Sequence, residues 1–461
     1  MYIIVICLVV TLLLLLEKLR GNISNNFPPG SKGFPYFGSF PFMQTHLERT
    51  LARWGWERYG SVFYFTTGGK RKVVLNTYEA LREGFLKNSE SLSSRCFTNH
   101  ATESILFADY SSKWERQRQL RLLVLKCLKD CNVEELVLQE CQTLCQHLKI
   151  LPQTTMAAGT EMANHITLPT FNIISFLFWG KRLRNDKDDS KIIRQLTYPV
   201  YNTRPFSFWK LDQNHNLLRI KTIRRKIRSW KITEEIFSRL SNIDKNASDK
   251  CYTHENLENY ILDLFIAGTD ALATTLHWAL VLLAANPLYQ TKLQDEIDKV
   301  IGNNTSPSMQ CLDLMPNTRA TLQEVFRVRP VFPLSIPHKA INNVIIGKHA
   351  IPKGTTVVAN LWAIQNDPTV WNEPEKFCPD RHLDDNGRFV KSDKVIPFSL
   401  GPRYCLGSQL SIMHQFLFLT SLLQKFNFEL AKDKGTPNLS GSSTIVLAPV
   451  DIKLKIKHRQ M

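Results

Sequence analysis

The chain has 461 residues, with 58 Lys and Arg against 41 Asp and Glu, giving a formal charge of +17 at pH 7. Its 43% apolar and 21% charged content is that of a globular protein and excludes a disordered chain; the length fits one large domain or two to three ordinary ones. The positive balance asks for an acidic partner or an anionic surface, yet the basic residues are dispersed and no nucleic-acid module is present, so nucleic acid is not expected as a partner. The ten cysteines are too few for a disulfide framework and fit a reducing, cytosol-facing location. Cys127, Cys131, Cys141 and Cys145 form two i,i+4 pairs among Leu, Val and Gln, which read as buried thiols and not as a zinc site.

In chain order, residues 2–16 are nearly all apolar. That is shorter than the ~20 residues of a full span, but flanking side chains can snorkel and the bilayer can thin. No Lys or Arg precedes the run, no small-x-small cleavage site follows it, and Glu17-Lys18-Leu19-Arg20 comes directly after. These features predict a retained single anchor over residues 1–20 with the body on the cytosolic side. A proline-rich hinge over residues 21–36 carries Pro28-Pro29-Gly30, and the body follows over residues 37–461.

Short strands are predicted at 62–66 and 72–76, and helices over 112–150 from the 3.6-residue apolar spacing. Trp114 and Arg118 lie one turn apart there, an indole N–H and a guanidinium on one face suited to a carboxylate. On the same stretch Lys113, Arg116, Arg121 and Lys126 form a candidate cationic docking face. Residues 219–231 read as a basic amphipathic helix, a solvated face or a contact for anionic lipid.

A long apolar helix is predicted over 259–285, closed by Asn286-Pro287. Asp263, Asp270 and His277 repeat every seven residues along it, which argues for a buried core helix and against a second membrane span. A helix over 313–330 carries Glu324 and Arg327 on one face. The proline-fixed loop Phe377-Cys-Pro379-Asp-Arg381-His382 adds a second arginine, and a buried Glu-Arg-Arg cluster would act as a fixed staple. Residues 344–358 read as a hairpin around Gly347 and Gly354, residues 406–425 as a helix, and 445–456 as strand-like. Helix dominates, with a minor β component.

The segment Phe398-Ser-Leu-Gly401-Pro-Arg403-Tyr-Cys405-Leu-Gly407 sets one thiol between two glycines. Each part has a use if Cys405 is a thiolate ligand to haem iron. Gly401 permits a tight turn, and Gly407 lets backbone lie against a flat ring. Arg403 can pair with a propionate, while Phe398 and backbone N–H groups can shield and tune the sulfur.

These pieces in this order resemble the cytochrome P450 family of haem-thiolate monooxygenases. The resemblance runs over nearly the whole chain: the anchor, the Pro-Pro-Gly hinge, Trp114-x-x-x-Arg118, Ala267-Gly268-Thr269-Asp270, Glu324-x-x-Arg327, the Phe-x-Pro-x-Arg381 loop and the Cys405 loop. It implies a mainly α fold of the P450 type, with haem b between the long central helix and the cysteine-loop helix. It implies Cys405 as axial ligand and Arg95, Trp114, Arg118, His338 and Arg403 as propionate partners. Asp270, helped by Gly268 loosening the helix over the oxygen, and Thr275 would serve proton delivery, and Glu324, Arg327 and Arg381 would be structural. The anchor resembles the microsomal type, which implies an endoplasmic reticulum location. Ser94-Arg95 and Ile336-Pro337-His338 resemble the branch with drug-metabolising and steroid-hydroxylating members. NADPH would act only through NADPH-cytochrome P450 reductase, with cytochrome b5 a further candidate donor and a lipophilic small molecule as substrate.

Two features depart from the family pattern. Ala271 follows Asp270 where a threonine is usual, and a methyl cannot hold a proton-delivering water. Thr275 is one turn on and would need a bridging water. This opens an alternative, an isomerase or dehydratase working without oxygen activation. The connection over 232–258 is also shorter than usual.

Overall fold

The computed structural model describes residues 26–34, 37–39, 42, 45–95, 104–127, 132–179, 182–183, 254–431 and 437–459. The anchor, the basic helix over 219–231 and nearly all of the 232–258 connection lie outside the described residues. The chain divides into two compact units. One comprises Met1–Cys96, Phe332–Asn372 and Ser399–Tyr404; the other comprises Phe97–Val331, Glu373–Phe398 and Cys405–Met461.

The first unit is built on a sheet. Helix α1 (Leu47–Trp54) precedes β1 (Val62–Thr67) and β2 (Lys70–Leu75), which pair antiparallel in the register Val62 to Leu75 and Thr67 to Lys70. Gly68 and Gly69 join them at φ of 52° and 74°, a two-residue turn in which both positions need glycine-like freedom. Strand β3 (Ser94–Arg95) lies antiparallel to β4 (His338–Lys339), placing Arg95 opposite His338. The predicted hairpin over 344–358 forms only in its first half. β5 (Val344–Ile346) pairs with β6 (His349–Ile351) around Gly347. Past Gly354 the chain leaves, and β7 (Thr356–Ala359) inserts between β2, to which it is parallel, and β4. Val357, Val358 and Ala359 are fully buried. A central place in the five-stranded sheet pairs both edges of the strand, which a two-stranded hairpin would not.

The second unit is helical. Helices α2 (Ser112–Cys127), α3 (Val133–Lys149), α4 (Gln153–Ala158) and α5 (Ala163–Trp179) precede the long α6 (His254–Ala285). They are followed by α7 (Pro287–Val300), α8 (Pro316–Val328) and α9 (Ser408–Lys425). Leucine and alanine dominate α6, and from Leu276 to Leu283 almost every side chain is buried whichever way it points. The stretch Asp263–Ala285 is long and apolar enough to cross a membrane, but 78% of its most apolar window is buried inside the protein. It is therefore a core helix, as its periodic Asp and His predict. Pro287 starts α7 at the position where proline is tolerated, which ends α6 at the predicted place. The strand-like tail divides in two: β9 (Ser442–Ser443) pairs with β10 (Leu447–Ala448), and β8 (Phe426–Leu430) pairs with β11 (Leu454–His458). The Leu447 carbonyl of that tail accepts a 2.9 Å bond from the Trp278 indole on α6.

Candidate functional site

Cys405 stands where an irregular loop turns into α9. Its N–H donates to the Phe398 carbonyl at 3.1 Å, closing the loop around the sulfur. The Phe398 ring meets Phe326 of α8 edge-on at 5.5 Å, which fixes its place. Cys405 is exposed, and the protein around it still desolvates the sulfur. Burial raises its thiol above the ordinary range, opposed by a hydrogen bond from the Gly407 backbone and by the charge of Arg118. A side chain added at Gly407 would meet only the Cys405 sulfur, at 4.0 Å, so the glycine keeps clear a space that protein atoms do not fill. A soft sulfur with an N–H donor, a nearby guanidinium and a cleared space beside it fits a thiolate-bound flat metal cofactor.

Arg118 of α2 stacks at 5.6 Å on the indole of Trp114. Burial lowers its pKa and the Cys405 sulfur raises it, so the two groups feel each other. Trp114 needs correction. Its indole N–H, expected to meet a carboxylate, donates to the Ile105 carbonyl at 3.0 Å. The ring is buried with Ile105, Ala108 and Leu406, so it supports the loop beside Cys405 through packing.

On α6, Asp270 is 2% exposed and neither carboxylate oxygen has a hydrogen-bond partner. Burial pushes its pKa well above the ordinary carboxylate value, favouring the protonated acid. Gly268 does not loosen the helix, which continues unbroken through it. A methyl there would come within 3.1 Å of Ile174 on α5, so the glycine serves helix packing. The Thr275 hydroxyl donates to the Ala271 carbonyl at 2.7 Å, the backbone bond that a helical threonine commonly makes. Asp263 binds the Ser104 hydroxyl and the Ile105 N–H, both at 2.7 Å, and so ties α6 to the chain that receives Trp114.

The expected staple forms, with one more member. Glu324 and Arg327 have no exposed side-chain surface, and their two hydrogen bonds measure 2.7 and 2.8 Å. Arg381 donates to the same carboxylate at 3.1 Å, as does the Cys378 N–H at 3.0 Å. Sequence reasoning missed His382, whose Nε2 lies 2.8 Å from Glu324 while Gln323 bonds its Nδ1 at 2.8 Å. Its position next to Arg381 was the available signal. Burial alone would raise the Glu324 pKa; hydrogen bonds from Arg327 and His382 outweigh it and hold the carboxyl low.

In the first unit, Arg95 donates to the carbonyls of Ile336 at 2.6 Å and Pro337 at 3.3 Å. Arg403 donates to the Ser93 carbonyl at 2.7 Å. His338 bonds the Leu92 carbonyl and stacks on Phe85 at 3.9 Å. Burial and the charges of Arg95 and Arg403 keep it neutral. Two guanidiniums that both act on one buried imidazole form a cationic locus suited to a carboxylate. Gly401 sets the path of this segment: it has φ of 76°, and an added Cβ would lie 2.0 Å from the Phe85 carbonyl oxygen. Gly401→Ala is expected to destabilise the protein by at least about 2 kcal/mol, combining left-handed strain with a backbone clash. Thermal unfolding checks this; an unchanged midpoint contradicts the assigned constraint.

The family model described as Cytochrome P450 matches residues 28–456. Human "Cytochrome P450 2U1" is 29% identical, over 96% of this chain and 91% of the relative. "Steroid 17-alpha-hydroxylase/17,20 lyase" of Bison bison is 29% identical, over 94% and 92%. The Bos taurus "Cytochrome P450 2U1" is 31% identical, over 94% and 89%. The thiol loop, the buried Glu-Arg staple and a match from the proline hinge to the final strand agree: this chain belongs to the cytochrome P450 family of haem-thiolate monooxygenases.

Proposed function

We propose that this enzyme hydroxylates a lipophilic small molecule of the steroid, fatty-acid or xenobiotic class. It would be held to the endoplasmic reticulum by residues 1–20 with its body facing the cytosol. Electrons would come from NADPH through a flavoprotein reductase, met on the cationic side chains of Lys113 and Arg116 among others. The observation that supports the assignment of the site most directly is the Cys405 sulfur, set between the Gly407 N–H and the charge of Arg118.

Haem, when bound, supplies oxygen activation, with the thiolate ligand's electron push favouring O–O cleavage. Cys405 provides that thiolate, and Phe398 shields it. Arg118, Arg95 and Arg403 would hold the propionates, with His338 lying opposite Arg95 across the strand pair. Asp270, whose carboxyl burial biases toward the protonated form, would serve proton delivery from the core helix. Substrate-induced spectral shifts from a lipid-extract screen, followed by product mass analysis, test the substrate class. Steroids, fatty acids and apolar xenobiotics that all fail to shift the spectrum of the loaded enzyme would overturn it.

Ala271 has no hydroxyl, and Thr275 uses its own on the helix backbone. Proton supply past Asp270 therefore relies on water or on a hydroxyl of the substrate. Ala271→Thr adds one hydrogen bond, worth about 1 kcal/mol or roughly fivefold in partition between product and peroxide. The ratio of product formed to NADPH consumed is expected to rise accordingly, and an unchanged ratio contradicts the relay argument. The alternative, an isomerase or dehydratase independent of the reductase, rests on Ala271 alone. Turnover of a hydroperoxide without NADPH would select it.

A further inference from the structure

Away from the thiol loop, the last turn of α3 and the first turn of α5 bring two imidazoles together. His147 Nε2 lies 3.0 Å from His165 Nδ1, with the ring centroids 5.2 Å apart. We propose that His147 and His165 form a divalent transition-metal site of the Zn²⁺ or Cu²⁺ class that clips α3 to α5.

The distance between the two nitrogens carries the argument. Imidazole nitrogens bind such ions at about 2.0–2.1 Å, so two on adjacent positions stand about 2.9 Å apart in square geometry and about 3.3 Å in tetrahedral geometry. The pair has a separation in that range, spanned at present by their hydrogen bond. The other nitrogen of His165 is tied as well: Nε2 lies 2.9 Å from the Thr160 hydroxyl. Thr160 is itself pinned to Leu454 by backbone bonds of 3.0 and 2.9 Å in both directions. A hydrogen bond from one imidazole nitrogen to a fixed oxygen sets the tautomer and leaves the other nitrogen's lone pair for a metal. With Thr160 accepting from His165 Nε2–H, the lone pair of His165 Nδ1 faces His147. In that tautomer His147 donates the proton between the two rings. On metal binding that proton passes through solvent to Nδ1 of the same exposed ring, freeing Nε2. Burial and the neighbouring His147 both depress the His165 pKa, so His165 stays neutral at pH 7. No group of three or more His, Cys, Asp or Glu able to hold a metal occurs among the described residues; water would complete the coordination of the pair. The ion would thus be open to solvent and exchangeable.

Zn²⁺ titrated by calorimetry into the full, haem-loaded chain tests this, because free cysteines elsewhere contribute equally to every variant. His147 is exposed near a helix end, so His147→Ala should fold normally; it is expected to lose one site. Thr160→Val should keep the site and weaken it by about tenfold, the usual effect of removing a ligand's outer partner. Zinc should also slow amide exchange over residues 147–165 in the parent chain and not in His147→Ala. Equal stoichiometry and affinity in the parent and His147→Ala would overturn the proposal, whatever the reduced carbon monoxide spectrum shows.

Discussion

Cys405→Ala protein, folded and supplied with haem, is expected to lack the red-shifted Soret band under carbon monoxide and to hydroxylate nothing. Activity should fall below about one part in a thousand of the parent, the scale seen when an enzyme loses a group through which all its chemistry passes. The local electrostatics make the prediction sharper. In the chain alone, burial favours the protonated thiol, while the Gly407 backbone and Arg118 favour the thiolate. Metal binding settles that contest, because a coordinating thiol is deprotonated outright. Loading with haem should therefore release one proton in the parent chain and none in Cys405→Ala. Cys405→His separates the ligand from its softness: it should keep haem but lose the shifted band, since imidazole does not provide the thiolate's push. A Cys405→Ala protein that kept both the band and turnover would remove Cys405 as the ligand.

Short-range chemistry made part of this site legible in the sequence. The thiol loop spans ten residues, so its glycines, arginine and cysteine can be read as one unit. Glu324 and Arg327 share a helix face by spacing alone, and the core nature of α6 followed from Asp263 and Asp270. Long-range pairing was not legible. The Trp114 indole found a carbonyl nine residues upstream in an irregular turn, which no periodicity marks. Gly268 carried a family expectation about helix loosening, yet its freedom serves Ile174, 94 residues away. β7 left its apparent hairpin to pair both its edges, with β2 and β4, a property of the sheet and not of the segment. His147 and His165 are 18 residues apart on different helices, and only folding makes them a pair.

Glu324→Gln should be the most damaging change remote from the sulfur, destabilising the fold by about 3–5 kcal/mol at pH 7. The substitution keeps shape and removes one charge. Arg327 then stays fully buried beside a neutral amide. Glutamine also replaces one acceptor oxygen with a donor, which faces the N–H groups of Arg327, Arg381, His382 or Cys378. An uncompensated buried guanidinium is what makes breaking such a pair costlier than never having built it. Arg381→Gln should be milder, because that side chain is 14% exposed and its 3.1 Å bond to the carboxylate is longer than those of Arg327. The pH dependence has a definite sign. The folded Glu324 pKa is lowered, so its stabilisation is fully present above the ordinary carboxylate range and is lost as pH falls through the depressed value. Thermal unfolding of parent and Glu324→Gln should therefore differ most near neutrality and converge on acidification. A variant melting within about 1 °C of the parent at pH 7, where several kcal/mol should lower the midpoint by many degrees, would show that the staple is not what holds the 373–382 loop to α8.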